Sequence, residues 1–191
     1  MLYRIASALL LAMISLLFAN SELCAAQLQS FESTEGGFQI SFPGAPQESE
    51  SEIPNTDGIR TLQKQYVVGT ADGAYIASYQ DNPNLKSASA ERVNQAYTAA
   101  GAGLKKAFGG DIKSETKVKL GDNIEGREFV VPIPAAGGVA RCRLFLVGTR
   151  LYQIMAVGKP DFVDADQTTK VMESFALLEL AKRNTNNDTP K

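Results

Sequence analysis

The most reactive side chain that the sequence offers after residue 26 is a cysteine between two arginines. Arg141, Cys142 and Arg143 lie in an apolar segment that is typical of a β-strand. Two guanidinium groups beside a thiol lower its pKa and favour the reactive thiolate. Neighbouring side chains of a strand point to opposite faces, however, so a Cys142 that faces the core leaves both arginines on the other face. Because cysteine is among the most buried residue types, we predict a structural Cys142, and a reactive thiol is the alternative.

A third arginine adds a candidate binding chemistry to the same region. Arg127 lies on the preceding predicted strand, and with Arg141 and Arg143 it would place three cations on one sheet face. Such a face suits an anion such as phosphate or a carboxylate. Glu125 and Glu128 are close in sequence, so ordinary cross-strand charge pairs explain the arginines at least as well. We therefore name Arg127, Arg141 and Arg143 as the candidate ligand-binding residues.

Composition and spacing argue against most other site chemistry. The chain has no histidine, which removes Ser-His-Asp and Cys-His catalysis and histidine-ligated zinc. Asp161, Asp164 and Asp166 lack the central glycine and distant glutamate of an EF-hand, and they suit a helix start instead. Residues 101–106, GAGLKK, lie within a predicted helix and lack the Ser or Thr that follows the lysine of a phosphate-binding loop. We expect no catalytic residue, no metal site and no cofactor.

The first 26 residues have the layout of a secretory signal peptide. Arg4 precedes an apolar run over residues 5–19, and the small residues up to Ala26 provide a cleavage site. The run is short for a membrane span, which needs about 20 apolar residues, so an uncleaved anchor is the alternative. We therefore expect an exported protein, periplasmic or extracellular, with no membrane span once the signal is removed.

The remainder of the chain suits one domain. We predict a signal peptide at 1–26, a flexible start at 27–35, a folded domain at 36–180 and a disordered tail at 181–191. One cysteine remains after cleavage, so the domain has no internal disulfide. The formal net charge of −2 gives no support for a nucleic-acid partner.

Hydrophobic periodicity predicts the elements of this domain. Alternation at Phe38, Ile40 and Phe42 predicts a strand that is ended by Pro43-Gly44-Ala45-Pro46. Further strands are predicted at 47–53, 60–70, 73–81, 112–120, 124–133, 139–147 and 151–157.

Two amphipathic helices complete the prediction. The first is capped by Ser87 or Ser89 and ends at Gly109-Gly110, and the second covers 162–178. Short turns between consecutive strands imply a mostly antiparallel sheet of about six to seven strands. We predict an α+β domain in which two main helices cover the sheet, in the order helix–sheet–helix.

Two stretches of the sequence carry a family resemblance. Residues 36–46 read GGFQISFPGAP, and a later strand with Arg-Cys-Arg runs into Gly148-Thr149-Arg150 and a final helix with Glu173-Ser174-Phe175. Together they resemble the small exported bacterial proteins with a PsbP-like or DcrB-like fold, over residues 31–180. The resemblance implies that architecture and carries over no catalytic residue. Relatives with this fold include photosystem II accessory subunits, Ran-binding proteins and lipoproteins of unknown role.

Two classes of function follow from these observations. We favour a non-enzymatic exported module that binds a protein or a small molecule in the cell envelope, because of the export signal, the resemblance and the missing catalytic groups. The alternative is an enzyme that uses Ser, Lys or carboxylates, or an anion- or small-ligand-binding protein that uses the arginine face. Two carboxylates close together in a deep pocket would favour the enzyme.

Overall fold

The computed structural model describes residues 27–54, 60–86 and 88–178, which build two antiparallel sheets and three helices. The strands are β1 (Gln29–Ser33), β2 (Phe38–Phe42), β3 (Gln47–Pro54), β4 (Arg60–Gly69), β5 (Gly73–Asp81), β6 (Ser114–Leu120), β7 (Ile124–Ile133), β8 (Gly138–Val147), β9 (Arg150–Gly158) and β10 (Ala176–Leu177). The helices are α1 (Ala90–Phe108), α2 (Pro160–Val163) and α3 (Asp166–Glu173). Short 3-10 turns occur at Pro83–Leu85 and Pro134–Ala136.

The larger sheet has seven strands in the order β3-β4-β5-β9-β8-β7-β6, and the smaller sheet has three in the order β1-β2-β10. Every strand pair is antiparallel, because hairpins join most of the consecutive strands. The predicted α+β class and the mostly antiparallel sheet are confirmed.

The two faces of the seven-stranded sheet have different coverings. We call the first the aromatic face. Its buried side chains are Tyr66, Val68, Tyr75, Ala77, Tyr79, Phe145, Tyr152, Ile154 and Ala156, and they pack with the small sheet, α3 and Phe175. We call the other the helical face. Its buried side chains Phe129, Val131, Cys142 and Leu144 lie with Tyr97 and Leu104 of α1.

Helix α1 has the ends that its sequence predicts. The Ser89 hydroxyl accepts a hydrogen bond from the Arg92 amide at 3.3 Å, which satisfies one of the free N–H groups of the first turn. Gly109 ends the helix in the left-handed region at φ 72°, where glycine carries no steric cost. Ser87, the other cap candidate, lies outside the described residues.

The predicted flexible start at 27–35 is wrong, because this segment contains strand β1. Phe31 contacts the rings of Phe38, Phe42 and Tyr66, and burial of that side chain orders the strand. The turn that follows is fixed by the Gly36 carbonyl, which accepts from the Tyr152 hydroxyl at 2.7 Å.

A single arginine reinforces this turn. Arg150 donates from Nη1 to the Gly36 carbonyl at 3.1 Å, and it forms a two-pronged ion pair with Asp81 in which both bonds are 2.7 Å. A Cβ at Gly36 would lie 2.5 Å from the Phe38 ring, so only glycine fits there. The opening motif is therefore held against β9.

The predicted second helix at 162–178 is also wrong in its extent. The segment forms α2 and α3, turns at Ser174 and continues as strand β10 on the free edge of β2. The Ser174 hydroxyl accepts from the Ser41 amide at 2.8 Å, which joins the turn to the small sheet. The second covering layer therefore combines a small sheet with two short helices, where sequence periodicity predicts one long helix.

Helices of the described segments are too short or too polar to cross a membrane. The predicted signal peptide at 1–26 and the predicted tail at 181–191 lie outside the described residues.

Candidate functional site

A groove of about 540 Å³ runs along the helical face beside α1, and we call it the α1 groove. Helix α1 packs mainly on β7 and β8, so side chains of β4, β5 and β9 beside it stay half-exposed. One wall is the helix, through Ala96, Ala99, Ala100, Gly103, Leu104 and Ala107. The floor is the sheet, through Gln63, Gln80, Leu144, Leu146, Leu151 and Gln153, and Asn82 and Leu85 complete the lining.

The α1 groove carries no charged side chain among its lining residues, all of which are described. The helix contributes to this neutrality, because no Asp, Glu, Lys or Arg occurs between Arg92 and Lys105. The small side chains of the helix leave room for the groove, and the leucines make its lining apolar. A surface of this kind favours an uncharged ligand, since an unpaired charge loses its hydration there without compensation.

Cross-strand register arranges the floor from polar to apolar. Gln63 lies opposite Gln80, Gln80 lies opposite Leu151, and Leu151 lies opposite Leu146. At a strand spacing of about 4.8 Å, this row extends about 14 Å across four strands. The amide end lies away from α1, and the leucine end lies beneath it.

The amides of this row differ in how they are satisfied. Gln63 Nε2 donates to Ser78 Oγ at 3.3 Å. Gln80 Oε1 is buried and has no hydrogen-bond partner among the described residues. A buried acceptor without a partner costs about 1–3 kcal/mol. A ligand that donates to Gln80 would recover part of that cost.

Tyr97 fixes α1 to the sheet at the leucine end of the groove. Its hydroxyl donates to the Glu125 carbonyl and accepts from the Leu146 amide, both at 3.0 Å, so it links β7 and β8 where their pairing ends. Burial raises the pKa of Tyr97, and the hydroxyl stays protonated as this donor role requires. The helix is thus attached at Tyr97, while its next two turns face the groove.

The three predicted arginines do not share one face. Arg127 lies opposite Leu144 and therefore on the helical face, where it donates to Asn94 Oδ1 at 3.0 Å and lies 5.3 Å from the Tyr97 ring centre. The prediction of a single arginine face is wrong, because the β7–β8 register places Arg127 out of phase with the other two.

Arg141 and Arg143 do lie together, on the opposite side of the sheet. Their Nε atoms approach the same carboxylate oxygen of Glu128 at 3.1 and 2.6 Å, and Arg141 also donates to Thr169 Oγ1 at 3.1 Å. Glu128 already neutralises one of the two charges. Anion binding by this pair stays a prediction, and its geometry is that of a structural cross-strand cluster.

Cys142 is fully buried on the helical face, as the strand alternation predicts. Burial raises the pKa of its thiol to about 12, although both neighbouring residues are arginines. The arginine side chains point to the other face and cannot stabilise a thiolate. Cys142 therefore has the structural role that we predict.

Other features of the described chain offer less to a ligand. Concave surfaces beside Lys159 and Asp72, and beside Arg143 and Glu173, contain charged side chains and are more open to solvent. Within residues 27–54, 60–86 and 88–178, no group of three or more Cys, Asp or Glu side chains could hold a metal ion.

Sequence reasoning missed the α1 groove. The signal was present in the alanines and Gly103 on one side of α1 and in the glutamines of β4, β5 and β9. Read alone, Gly101 and Gly103 indicate only a weak helix. The groove follows from the position of the helix on the sheet, which no local pattern encodes.

Comparison with solved structures identifies the architecture. The solution structure of cyanobacterial PsbP (CyanoP) from Synechocystis sp. PCC 6803 superposes with a TM-score of 0.52 at 11% identity, over 83% of this chain and 96% of that one. The chain has a PsbP-like fold. At this identity the likeness concerns the fold alone. No family model and no curated protein matches the sequence.

Proposed function

We propose that the chain is a non-enzymatic binding module of the cell envelope, periplasmic or extracellular, which holds its ligand in the α1 groove. The observation that carries the proposal is the groove, a concave, mostly apolar site between helix and sheet, with the Gln63 and Gln80 amides at one end of its floor and Gln153 opposite Leu144. Sites of this form are the usual binding places for small molecules in proteins.

The side chains of the groove support binding rather than catalysis. Its lining contains no carboxylate, lysine, serine or thiol that could act as an acid, a base or a nucleophile. Tyr97 lines the groove, but both hydrogen-bonding directions of its hydroxyl are used within the fold. The lack of histidine in the sequence points the same way.

Support for the location comes from the sequence. Residues 1–26 have the three regions of a signal peptide, and the opening motif resembles exported PsbP-like and DcrB-like proteins. An exported module of this kind would meet its ligand in the periplasm or outside the cell.

A groove-filling substitution tests the proposal. A Cβ at Gly103 meets no atom within 4 Å, so Gly103→Leu places a large side chain in the groove without a clash at its base. Ala102→Leu is the matched control, because Ala102 lies on the same exposed helix but does not line the groove.

The readout is a thermal-shift screen of neutral and charged small molecules. We expect at least one compound to raise the Tm of the wild type and of Ala102→Leu, and to leave that of Gly103→Leu unchanged. A compound that stabilises all three chains equally binds elsewhere, and a screen without any stabilising compound contradicts the proposal.

A further inference from the structure

We infer that the α1 groove selects a neutral amphiphile, with an aliphatic body and an uncharged head that donates a hydrogen bond, such as a primary amide or an alcohol. This inference rests on the proposed function and names the class of its ligand. Three observations carry it: the absence of charge from the lining, the polar-to-apolar row of the floor, and a Gln80 oxygen that has no hydrogen-bond partner within the described segments.

The absence of charge excludes an ionised head. A carboxylate or an ammonium group in the groove would lose water and find no counter-ion among the lining residues. Arg127 lies on the same face of the sheet as the apolar end of the groove. It is already engaged with Asn94 and Glu115, and it lies against the Tyr97 ring.

The gradient orients the ligand. Leu151 and Leu146 lead beneath α1, where Leu104 and Leu144 are buried, so an aliphatic chain gains most by lying at this end. Gln63 and Gln80 lie at the other end of the row, away from α1. An amphiphile with its head on the amides and its chain beneath the helix matches both ends at once.

The Gln80 side-chain oxygen favours a ligand whose head group donates a hydrogen bond. Gln80 Oε1 accepts no hydrogen bond from the described residues, whereas Gln63 Nε2 is already engaged with Ser78. Gln80 lines the groove and is only partly buried, so a rotation of its side chain would present this buried oxygen to a ligand N–H or O–H. A head that only accepts hydrogen bonds cannot do so.

A ligand series with one constant chain tests the charge rule. Octanamide, octanoate and octylamine are titrated into the purified chain at pH 7 and binding is followed by calorimetry. We expect octanamide to bind at least tenfold more tightly than either charged analogue, and Gly103→Leu to abolish that binding while Ala102→Leu retains it.

A second comparison tests the donor rule. N,N-dimethyloctanamide has the same chain and carbonyl but no N–H, so it should bind the wild type several-fold more weakly than octanamide. Gln80→Met keeps the side-chain length and removes the oxygen, and it should bring the two affinities together. The charge series does not use Gln80→Met and stands even if that variant fails to fold.

The possible outcomes distinguish a wrong ligand class from a wrong binding site. Tighter binding of octanoate or octylamine that Gly103→Leu still abolishes overturns the ligand class and leaves the groove as the site. Octanamide binding that Gly103→Leu does not change overturns the site itself. If none of the octyl compounds binds, the inference is overturned, and the proposed function then depends on whether the broader screen yields a groove-dependent compound.

Discussion

The two faces of the seven-stranded sheet are built from different side chains and are closed to different degrees. On the aromatic face, Phe38 is inaccessible to solvent and contacts Tyr66, Tyr79, Tyr152 and Phe175. On the helical face, Gly103 and several alanines of α1 leave a groove above the sheet. One face therefore supplies most of the packing, and the other keeps space that a ligand can fill.

The largest expected effect comes from removing an aromatic ring on the closed face. Phe38→Ala should lower the free energy of unfolding by about 3–5 kcal/mol, because the ring is fully buried and its neighbours cannot collapse into the space. Denaturant unfolding followed by circular dichroism measures the loss. Phe108→Ala is the matched change at the helical face, where the ring is half-exposed, and it should cost roughly 1–2 kcal/mol. Equal losses at the two positions would remove the distinction between the faces.

Alanine substitutions at two glycines of α1 should change the free energy of unfolding by smaller amounts, and in opposite directions. A Cβ at Gly101 would lie 2.9 Å from Phe129, so Gly101→Ala should destabilise the fold by about 1–2 kcal/mol despite the better helix propensity of alanine. Gly103→Ala meets no neighbour within 4 Å and should stabilise by about 1 kcal/mol. Thermal unfolding of both variants gives the two signs. Stabilisation by both would show that α1 is not seated on Phe129.

The smallest effect concerns the thiol beneath α1. Cys142 should resist a thiol reagent at pH 8 in the native chain and react at once in denaturant, because it is buried and its pKa is raised to about 12. Rapid labelling of the native chain would mean that α1 lifts readily from the sheet.

The same thiol predicts a pH dependence. Its folded pKa lies above the ordinary value of 9.0, so the unfolded chain releases the proton first, and stability should fall as the pH rises from 9 toward 12. The comparison with Cys142→Ala isolates this contribution, since the tyrosines whose pKa burial raises are common to both chains. An identical alkaline decline in the two chains contradicts it.

Sequence patterns predict the elements of this fold better than their mutual positions. The alternation at Phe38, Ile40 and Phe42 and the caps of α1 are local signals, and both are confirmed. The helical spacing at 162–178 is also a local signal. After Ser174, however, the chain pairs with the free edge of β2 and does not continue as a helix.

At the candidate site, too, local sequence patterns fail to predict which side chains lie together. Arg127, Arg141 and Arg143 all occupy odd positions, yet Arg143 lies opposite Glu128 and Arg127 lies opposite Leu144. A shift of one residue in register moves a side chain to the other face, and the register is fixed only by long-range packing. The α1 groove depends on the same long-range placement.

The pairing of β2 with β10 has a consequence for the order of synthesis. Strand β2 pairs with β1 on one edge, but Phe38 lies opposite Leu177 on the other, so this second edge is paired only when the last strand of the domain has been made. Until then the rings of Phe38 and Phe42 lack Phe175 and Leu177 against which they are buried in the finished fold. Contacts this distant along the chain form slowly, and apolar strands that wait for them favour aggregation. The growing chain therefore exposes one unpaired apolar edge of β2 until residues 176–177 cover it.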